Sequence, residues 1–549
     1  MRFRNIFLIF ATLPAWNGPV PAYSLDPAHN HSAPSIQAGP RPGVFPPPAS
    51  PFSDSALAGT APADSSLTDS TRAERAGRLA AARMATDFDG GLDDLLAAHP
   101  GQSAAVTLER GELSLLSRAW LADHCSRGLD VQYFIWTADN VGRLAMDGLL
   151  RAAERGVRVR VLVDDLLLDM PPGYLQAMDG HPNLEIRIYN PNANTGLGAW
   201  KKTWNAAMRF RDVNQRMHNK ALIVDGKLAV TGGRNLADEY FDFHHEFDFR
   251  DRDVMVAGPV AVEMSSAFQR YWDSPLARPV GELLPPLAGG PQEAIRDSIH
   301  AYARDTANFR PEIRQVMEAL PARFGAVVNE LYWGEVRFVT DEPGKNDGKQ
   351  GLQGGGATTR FLADLLRGAK RSITIQSPYL IPNDTALALF REAIARGVSV
   401  RISTNSMANN DNLKAVSGYL KRRKEILAAG VGVFEFKPQP GIQKNLQERY
   451  AIAKDKPIFV IHAKTLVVDG AKVFIGTFNL DPRSMNLNTE SGIYLPESRV
   501  AREVEEAIER DMSPENSWDA SRETGDGYAP FWRRVKARMW GLIPMESIL

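Results

Sequence analysis

The chain has almost no cysteine. Cys125 is the only one, which excludes an intrachain disulfide framework and any cysteine-rich zinc or iron–sulfur site. It lies in the polar run Ala122-Asp123-His124-Cys125-Ser126 of an otherwise helical pattern, where a partly buried structural thiol is expected rather than a nucleophile. An excess of charge of either sign is also missing. The 64 basic and 65 acidic residues leave a formal net charge of −1, so no whole-molecule field gathers a polyanion and no nucleic-acid partner is expected. Long apolar runs are absent too, since nothing approaches the roughly 20 residues that a membrane-spanning helix requires. What remains is 549 residues of which 44% are hydrophobic, enough for two or more packed domains.

The N-terminus is basic over Met1-Arg2-Phe3-Arg4-Asn5, apolar from Ile6 to Trp16, and rich in small residues near Val20-Pro21-Ala22. Residues 1–22 are therefore expected to be a signal-like or membrane-tethering segment, and export or tethering is expected of the protein. Residues 23–73 are dominated by Pro, Ala and Ser and read as a disordered linker. A second crowd of Pro and Gly between Pro275 and Pro291 divides the rest into segments 74–285 and 286–549.

Those segments repeat one another. Leu129-Asp130-Val131-Gln132-Tyr133-Phe134-Ile135-Trp136 echoes Ile373-Thr374-Ile375-Gln376-Ser377-Pro378-Tyr379-Leu380. A helical stretch follows each, and it ends at Gly156 or Gly397 before a β-branched run. Strand, crossover helix and parallel strand imply an α/β lobe, and two such lobes imply a duplication with a pseudo-twofold axis.

Each lobe then carries one further element. The first reads His218-Asn219-Lys220, an apolar run, Asp225-Gly226, a second apolar run and Asn235. The second reads His462-Ala463-Lys464, Asp469-Gly470 and Asn479 in the same register. The Asp-Gly pairs predict hairpin turns, and strand alternation puts each His and Lys on one face with the Asn returning beside them. Packing alone does not call for an imidazole and an ammonium on one face. Transfer at a phosphodiester calls for both, as a nucleophile, a proton donor and positive charge around the phosphate oxygens.

The doubled pattern resembles the His-x-Lys-x4-Asp signature of the phospholipase D superfamily, from about Gly90 to the C-terminus. The resemblance implies two phospholipase D-like α-β-α sandwich lobes with the active site at their interface. It implies catalytic roles for His218, Lys220, Asp225, His462, Lys464 and Asp469, although the two aspartates equally suit turns. By the same resemblance His218 is the nucleophile that becomes phosphohistidine and His462 the acid and base, an assignment that internal symmetry leaves reversible. Asn235, Asn479 and Thr477 would bind phosphate, while Gly233 stands where the first lobe would carry a hydroxyl. A carboxylate on a nearby strand would orient each histidine: Glu490 in the second lobe, and Asp251, with Glu246 as its rival, in the first. No metal and no cofactor are implied.

Gly232-Gly233-Arg234-Asn235-Leu236-Ala237-Asp238-Glu239-Tyr240-Phe241, Ser377-Pro378-Tyr379 and the terminal Leu542–Leu549 stretch are similar to the bacterial cardiolipin synthases, in a shorter type without paired N-terminal spans. That branch implies phosphatidyl transfer between phospholipids such as phosphatidylglycerol and phosphatidylethanolamine. It implies a place in the bacterial cell envelope, peripheral to or tethered at the inner membrane. Aromatic and cationic residues mix in Trp200-Lys201-Lys202-Thr203-Trp204 and in Phe531–Trp540, as they do in interfacial segments. Hydrolysis to phosphatidic acid, a nuclease and a non-catalytic membrane scaffold are the competing readings.

Overall fold

In the computed structural model both Asp-Gly pairs form the expected turns. Asp225 and Asp469 adopt φ of 52° and 59°, followed by Gly226 at 68° and Gly470 at 59°, the backbone a two-residue hairpin requires. The structure describes residues 83–84, 87–197, 204, 213–242, 244, 246–285, 287, 292–308, 327, 330–345, 354–447 and 456–543. The signal-like segment, the linker, Trp200, Lys201, Lys202 and Thr203 lie outside them.

The strands are β1 (Ser103–Leu108), β2 (Gly128–Thr137), β3 (Arg158–Asp169), β4 (Leu184–Tyr189), β5 (Ala221–Val224), β6 (Leu228–Gly232), β7 (Phe247–Arg250), β8 (Asp253–Ala257), β9 (Ala277–Pro279) and β10 (Tyr332–Gly334). They continue as β11 (Arg337–Thr340), β12 (Ser372–Gln376), β13 (Ser399–Asn405), β14 (Gly432–Phe436), β15 (Ile458–Ile461), β16 (Lys464–Val468), β17 (Lys472–Gly476), β18 (Ser491–Leu495) and β19 (Ser517–Asp519). The first sheet runs β10-β1-β8-β6-β5-β2-β3-β4-β9 and the second β11-β18-β17-β16-β12-β13-β14-β19. From β1 and β11 onward the two orders coincide, so the duplication extends to topology. In each, a parallel trio (β2, β3, β4 or β12, β13, β14) is crossed by helices Asn140–Glu154 and Pro172–Asp179 or Asp384–Ala395 and Leu413–Ala428.

The sheets share a core. Val254 and Val256 of β8 and Val260, Met264 and Phe268 of helix Pro259–Trp272 join one apolar cluster with Val467, Ile475, Ile493 and the helix residues Val500, Val504 and Ile508. β7 pairs in parallel with β15, from Phe247 opposite Ile458 to Arg250 opposite Ile461, which hydrogen-bonds the backbone of one lobe to that of the other.

The boundary between lobes differs from the one expected at 285/286. The Pro-rich stretch contains β9, which closes the first sheet against β4, a place at a sheet edge where Pro279 is tolerated. Helix Gln292–Arg304 also belongs to the first lobe, with His300 Nδ1 2.7 Å from Asp147 and Nε2 3.0 Å from Glu154. β10 then joins β1, so the lobes part between Gly334 and Arg337. Among the described residues no helix is long and apolar enough to cross a membrane. Cys125 is buried and donates to the Ala122 carbonyl at 3.1 Å. Burial pushes its thiol up to about 12, in keeping with a structural thiol.

Asp225 and Asp469, for which the sequence left a catalytic and a turn role open, have turn contacts. The Asp225 carboxylate accepts the N–H groups of Ser126, Arg127 and Gly128 at 3.1, 2.8 and 2.8 Å. Asp469 accepts those of Lys370, Arg371 and Ser372 at 3.1, 2.6 and 3.0 Å. Each ties its hairpin turn to the start of β2 or β12. Although partial burial acts the other way, the N–H groups of Ser372, Arg371 and Lys370 hold the Asp469 carboxyl below its ordinary 3.8. Its stabilising contribution is therefore full above that value and is lost as pH falls through the lower folded one. Asp225→Ala and Asp469→Ala are expected to lower stability in urea by roughly 1 kcal/mol each after solvent screening. The rate per folded molecule should stay within about threefold of wild type, where loss of a group acting in the chemistry would cost on the order of 100-fold.

Candidate active site at the lobe interface

The two histidines lie in the lead-ins to the hairpins rather than within them. His218 precedes β5 and His462 precedes β16, and each lead-in is anchored to the opposite lobe. The His218 N–H donates to the Thr489 carbonyl at 3.0 Å, and the His462 N–H donates to the Arg250 carbonyl at 2.8 Å. Thr489 and Arg250 each stand one residue before an acid, Glu490 or Asp251. The same backbone bond that fixes a histidine therefore delivers the other lobe's carboxylate to its ring.

His218 Nδ1 lies 2.9 Å from Glu490 Oε2, and His462 Nδ1 lies 2.6 Å from Asp251 Oδ2. The expected acids are thus both present, each crossed over to the other lobe. The rival, Glu246, is exposed. Engaging Nδ1 of His218 keeps its Nε2 lone pair for chemistry. Aromatic rings fix the imidazoles further: Phe134 meets His218 edge-on at 4.9 Å, Tyr240 meets His462 edge-on at 5.1 Å and Phe249 stacks on it at 4.8 Å.

Lys220 Nζ donates to the His218 carbonyl at 2.7 Å. Lys464 Nζ lies 2.6 Å from Nδ1 and 3.1 Å from Nε2 of His462 and also donates to the His462 carbonyl. Burial, followed by the charge of Lys464, lowers Lys220 from 10.5 to about 7. Burial likewise lowers Lys464 to about 8. The action of Lys464 on both Lys220 and His218 marks the two half-sites as one electrostatic unit. Asn235 and Asn479 are both buried. Asn235 Oδ1 accepts the Ile135 N–H at 3.1 Å, whereas Asn479 Oδ1 is buried without a hydrogen-bond partner.

Thr477 is not placed to bind phosphate. It is fully buried, and its hydroxyl donates to the carboxylate of Glu490, so it holds the acid that holds His218. The glycine at 233 also has a physical reason. A Cβ there would lie 2.1 Å from Asp251 Oδ1 and 2.6 Å from its Cγ, so any side chain would displace the carboxylate that holds His462.

The half-sites differ in charge. Burial, with Lys220 and Lys464, pushes His218 well below its ordinary 6.5, and burial pushes Glu490 up to about 7, so that carboxyl is only partly ionised at neutral pH. Burial and Lys464 bring His462 to about 4. Against the effect of burial, Lys464 and His462 hold Asp251 well below the usual carboxylate range. His462 therefore faces a full negative charge, which stabilises an imidazolium forming on it.

Several contributing residues were not anticipated. Glu109 receives Arg250 at 2.5 Å and also pairs with Arg252. Arg252 donates across the interface to Thr465 at 2.7 Å, and Arg250 lies 3.3 Å from Asp511 of the second lobe. The signal for them was the alternation of charge in Arg250-Asp251-Arg252 between two apolar strands. Among the described residues no cluster of His, Cys, Asp and Glu could hold a metal ion.

Paired His, Lys and Asn with crossed carboxylates in one buried interface define an enzyme of the phospholipase D type. The family described as "Cardiolipin synthase, PLD-like domain" matches residues 121–272 and 362–512. Cardiolipin synthase C of Escherichia coli is 33% identical over 83% of this chain and 98% of its own. Cardiolipin synthase 1 of Bacillus anthracis is 26% identical over 71% and 63%. The fold is shared with the crystal structure of phosphatidylserine synthase from Haemophilus influenzae, with a TM-score of 0.54 at 15% identity over 81% of this chain and 95% of that one. The chain belongs to the bacterial cardiolipin synthase family and is a phospholipase D-type phosphatidyltransferase.

The electrostatics predict a bell-shaped pH dependence of kcat/KM. Activity should rise as His218, the group that must be unprotonated, loses its proton well below the ordinary 6.5 and fall as Lys220 and Lys464 lose theirs near 7 and 8. A bound phosphate anion favours the charged lysines, so the alkaline limb of kcat should sit at higher pH than that of kcat/KM. Coincident alkaline limbs would count against the lysines as phosphate ligands.

Proposed function

We propose that this enzyme forms cardiolipin by moving a phosphatidyl group from one phospholipid to a headgroup hydroxyl of another. Phosphatidylglycerol is the acceptor, and phosphatidylglycerol or phosphatidylethanolamine is the donor. The observation that carries the proposal is the unequal pair of histidine–carboxylate dyads. His218, unprotonated and oriented by Glu490 at Nδ1, attacks phosphorus through Nε2 and forms a phosphohistidine. His462, which takes up a proton as the anionic phosphate binds and holds it as imidazolium against ionised Asp251, passes that proton to the departing glycerol or ethanolamine oxygen and then takes the proton of the incoming hydroxyl. Lys220, Lys464, Asn235 and Asn479 hold the phosphate oxygens, and Asn479 Oδ1, buried without a partner, is the acceptor for a hydroxyl or a protonated oxygen in the site.

The lipid reaches the site from a membrane surface. Helix Phe531–Gly541 buries only Ala537, while Phe531, Trp532, Met539 and the following Leu542 are 61, 70, 62 and 85% exposed. Arg534, Lys536 and Arg538 accompany them, the mixture an anionic interface attracts. Arg533 fastens this helix to the carbonyls of Met407 and Asn410, next to Asp411, whose charge acts on His462 and Lys464. Trp204 is 53% exposed and serves as a second contact, whereas Lys414 lies over the Trp540 ring at 5.1 Å, which gives Trp540 a packing role. The signal-like residues 1–22 add export or a tether, in keeping with a place at the cell envelope.

Purified protein in mixed phosphatidylglycerol and phosphatidylethanolamine vesicles, read by mass spectrometry, tests the chemistry. Cardiolipin from wild type and its loss by at least about 1,000-fold in His218→Ala are expected, and the released headgroup names the donor. Phosphatidic acid alone would make the enzyme a hydrolase. For docking, Phe531→Ala combined with Trp532→Ala is expected to weaken binding to anionic vesicles about tenfold in a flotation assay; unchanged binding would remove the helix from the account.

A further inference from the structure

A cleft of about 1120 Å³ lies on one face of the second sheet, beneath helices Ala357–Gly368 and Asp384–Ala395. Ile375, Leu466 and Phe474 stand side by side on β12, β16 and β17 and line it, with Leu362, Leu389 and Met485 contributing further apolar wall. Lys464 also lines the cleft. Leu466 follows Lys464 by two residues on β16, so the phosphate-holding ammonium and the apolar wall are successive positions on the same strand face. At the rim Arg422 pairs with the exposed Asp384 at 2.5 Å.

Among the described residues the equivalent position of the first lobe is packed. There Val131, Leu222 and Val230 form the matching row, and helix Gly111–His124 buries Leu116, Trp120 and Leu121 in the same core cluster. Its counterpart in the second lobe, helix Ala357–Gly368, buries only Thr358 and Leu366. The duplication has therefore kept the sheet and loosened the helix layer over the second one. An apolar cleft left to water forgoes the transfer energy of its walls, and one larger than the roughly 300–1,000 Å³ of ordinary ligand sites exceeds the needs of a headgroup. Arg422 belongs to helix Leu413–Ala428, whose Lys414 and Lys421 contact Trp540 and the Ile543 carbonyl of the exposed C-terminal segment. The rim thus opens beside the face assigned above to the membrane.

We infer that this cleft seats an acyl chain of the phospholipid whose phosphate rests on Lys464, so that the two lobes bind their lipids unequally. The inference rests on the phosphatidyl-transfer reading and adds where the tail goes. It is tested with phosphatidylglycerol carrying a diazirine near the end of one long acyl chain, presented in vesicles to full-length His218→Ala protein, irradiated and mapped by peptide mass spectrometry. Label on helices 357–368 and 384–395 is expected; label confined to residues 531–542, or none, would overturn the proposal. In turnover, Ala363→Trp, which narrows the cleft, should lower the ratio of kcat/KM for dioleoyl over dihexanoyl phosphatidylglycerol about tenfold, with a smaller fall for Leu362→Ala, and an unmoved ratio in both overturns it. Should wild type form no cardiolipin from either chain length, the proposed chemistry fails, while the crosslinks still decide the occupancy of the cleft.

Discussion

The exchange of carboxylates between lobes is the constraint on which the rest of the structure depends. Glu490 holds His218 and Asp251 holds His462, each across the interface. Neither lobe alone has an oriented histidine, so the active site exists only when the lobes are docked. That requirement accounts for the shared apolar cluster, for the parallel pairing of β7 with β15, and for charges buried where apolar residues would pack as well. Arg250, Arg252, Glu109 and Asp511 form an ionic group at the join, and a buried charge is tolerated only with partners of good geometry. The partners here come from both lobes, which ties the stability of the interface to the integrity of the site.

Symmetry generated the site, and small departures from it divide the labour. A glutamate with a threonine hydroxyl behind it serves one histidine, and a shorter aspartate pressed against Gly233 serves the other. Burial raises the Glu490 carboxyl, while Lys464 and His462 hold Asp251 ionised, an inequality that favours the proposed division between nucleophile and proton carrier. A second departure lies in the helix layer. It is packed with Trp120 over the first sheet and more loosely filled over the second, where the apolar cleft lies in the lobe that contributes His462.

Much of this was legible in the sequence because it was written twice. The strand-helix-strand units, the Asp-Gly hairpins and the His, Lys and Asn positions recur at matching spacing, and alignment of one half on the other also pointed to Glu490 and Asp251. Repetition gave no indication of which lobe each acid would serve, since a crossed and an uncrossed arrangement have the same sequence; only the docking of Thr489 and Arg250 against the opposite lead-ins decides it. The partners of Asp225, Asp469 and Thr477 were not legible because a motif records which residues recur and not what each touches. Their partners are backbone N–H groups and a carboxylate that a strand pattern does not reveal. The boundary at 285/286 failed for a related reason: prolines marked an edge strand rather than a linker, and helix 292–304 is held to the first lobe by His300, a contact with no local sequence signal.

The most direct test of one shared, unequal site uses a phosphatidyl ester of p-nitrophenol, whose leaving group departs without protonation. His462→Ala protein mixed with it, quenched and mapped for phosphohistidine should carry a single phosphatidyl group on His218, because attack proceeds and release to an acceptor hydroxyl is slowed. Label on a histidine other than His218, or none, would contradict the division of roles between the lobes on which the account rests.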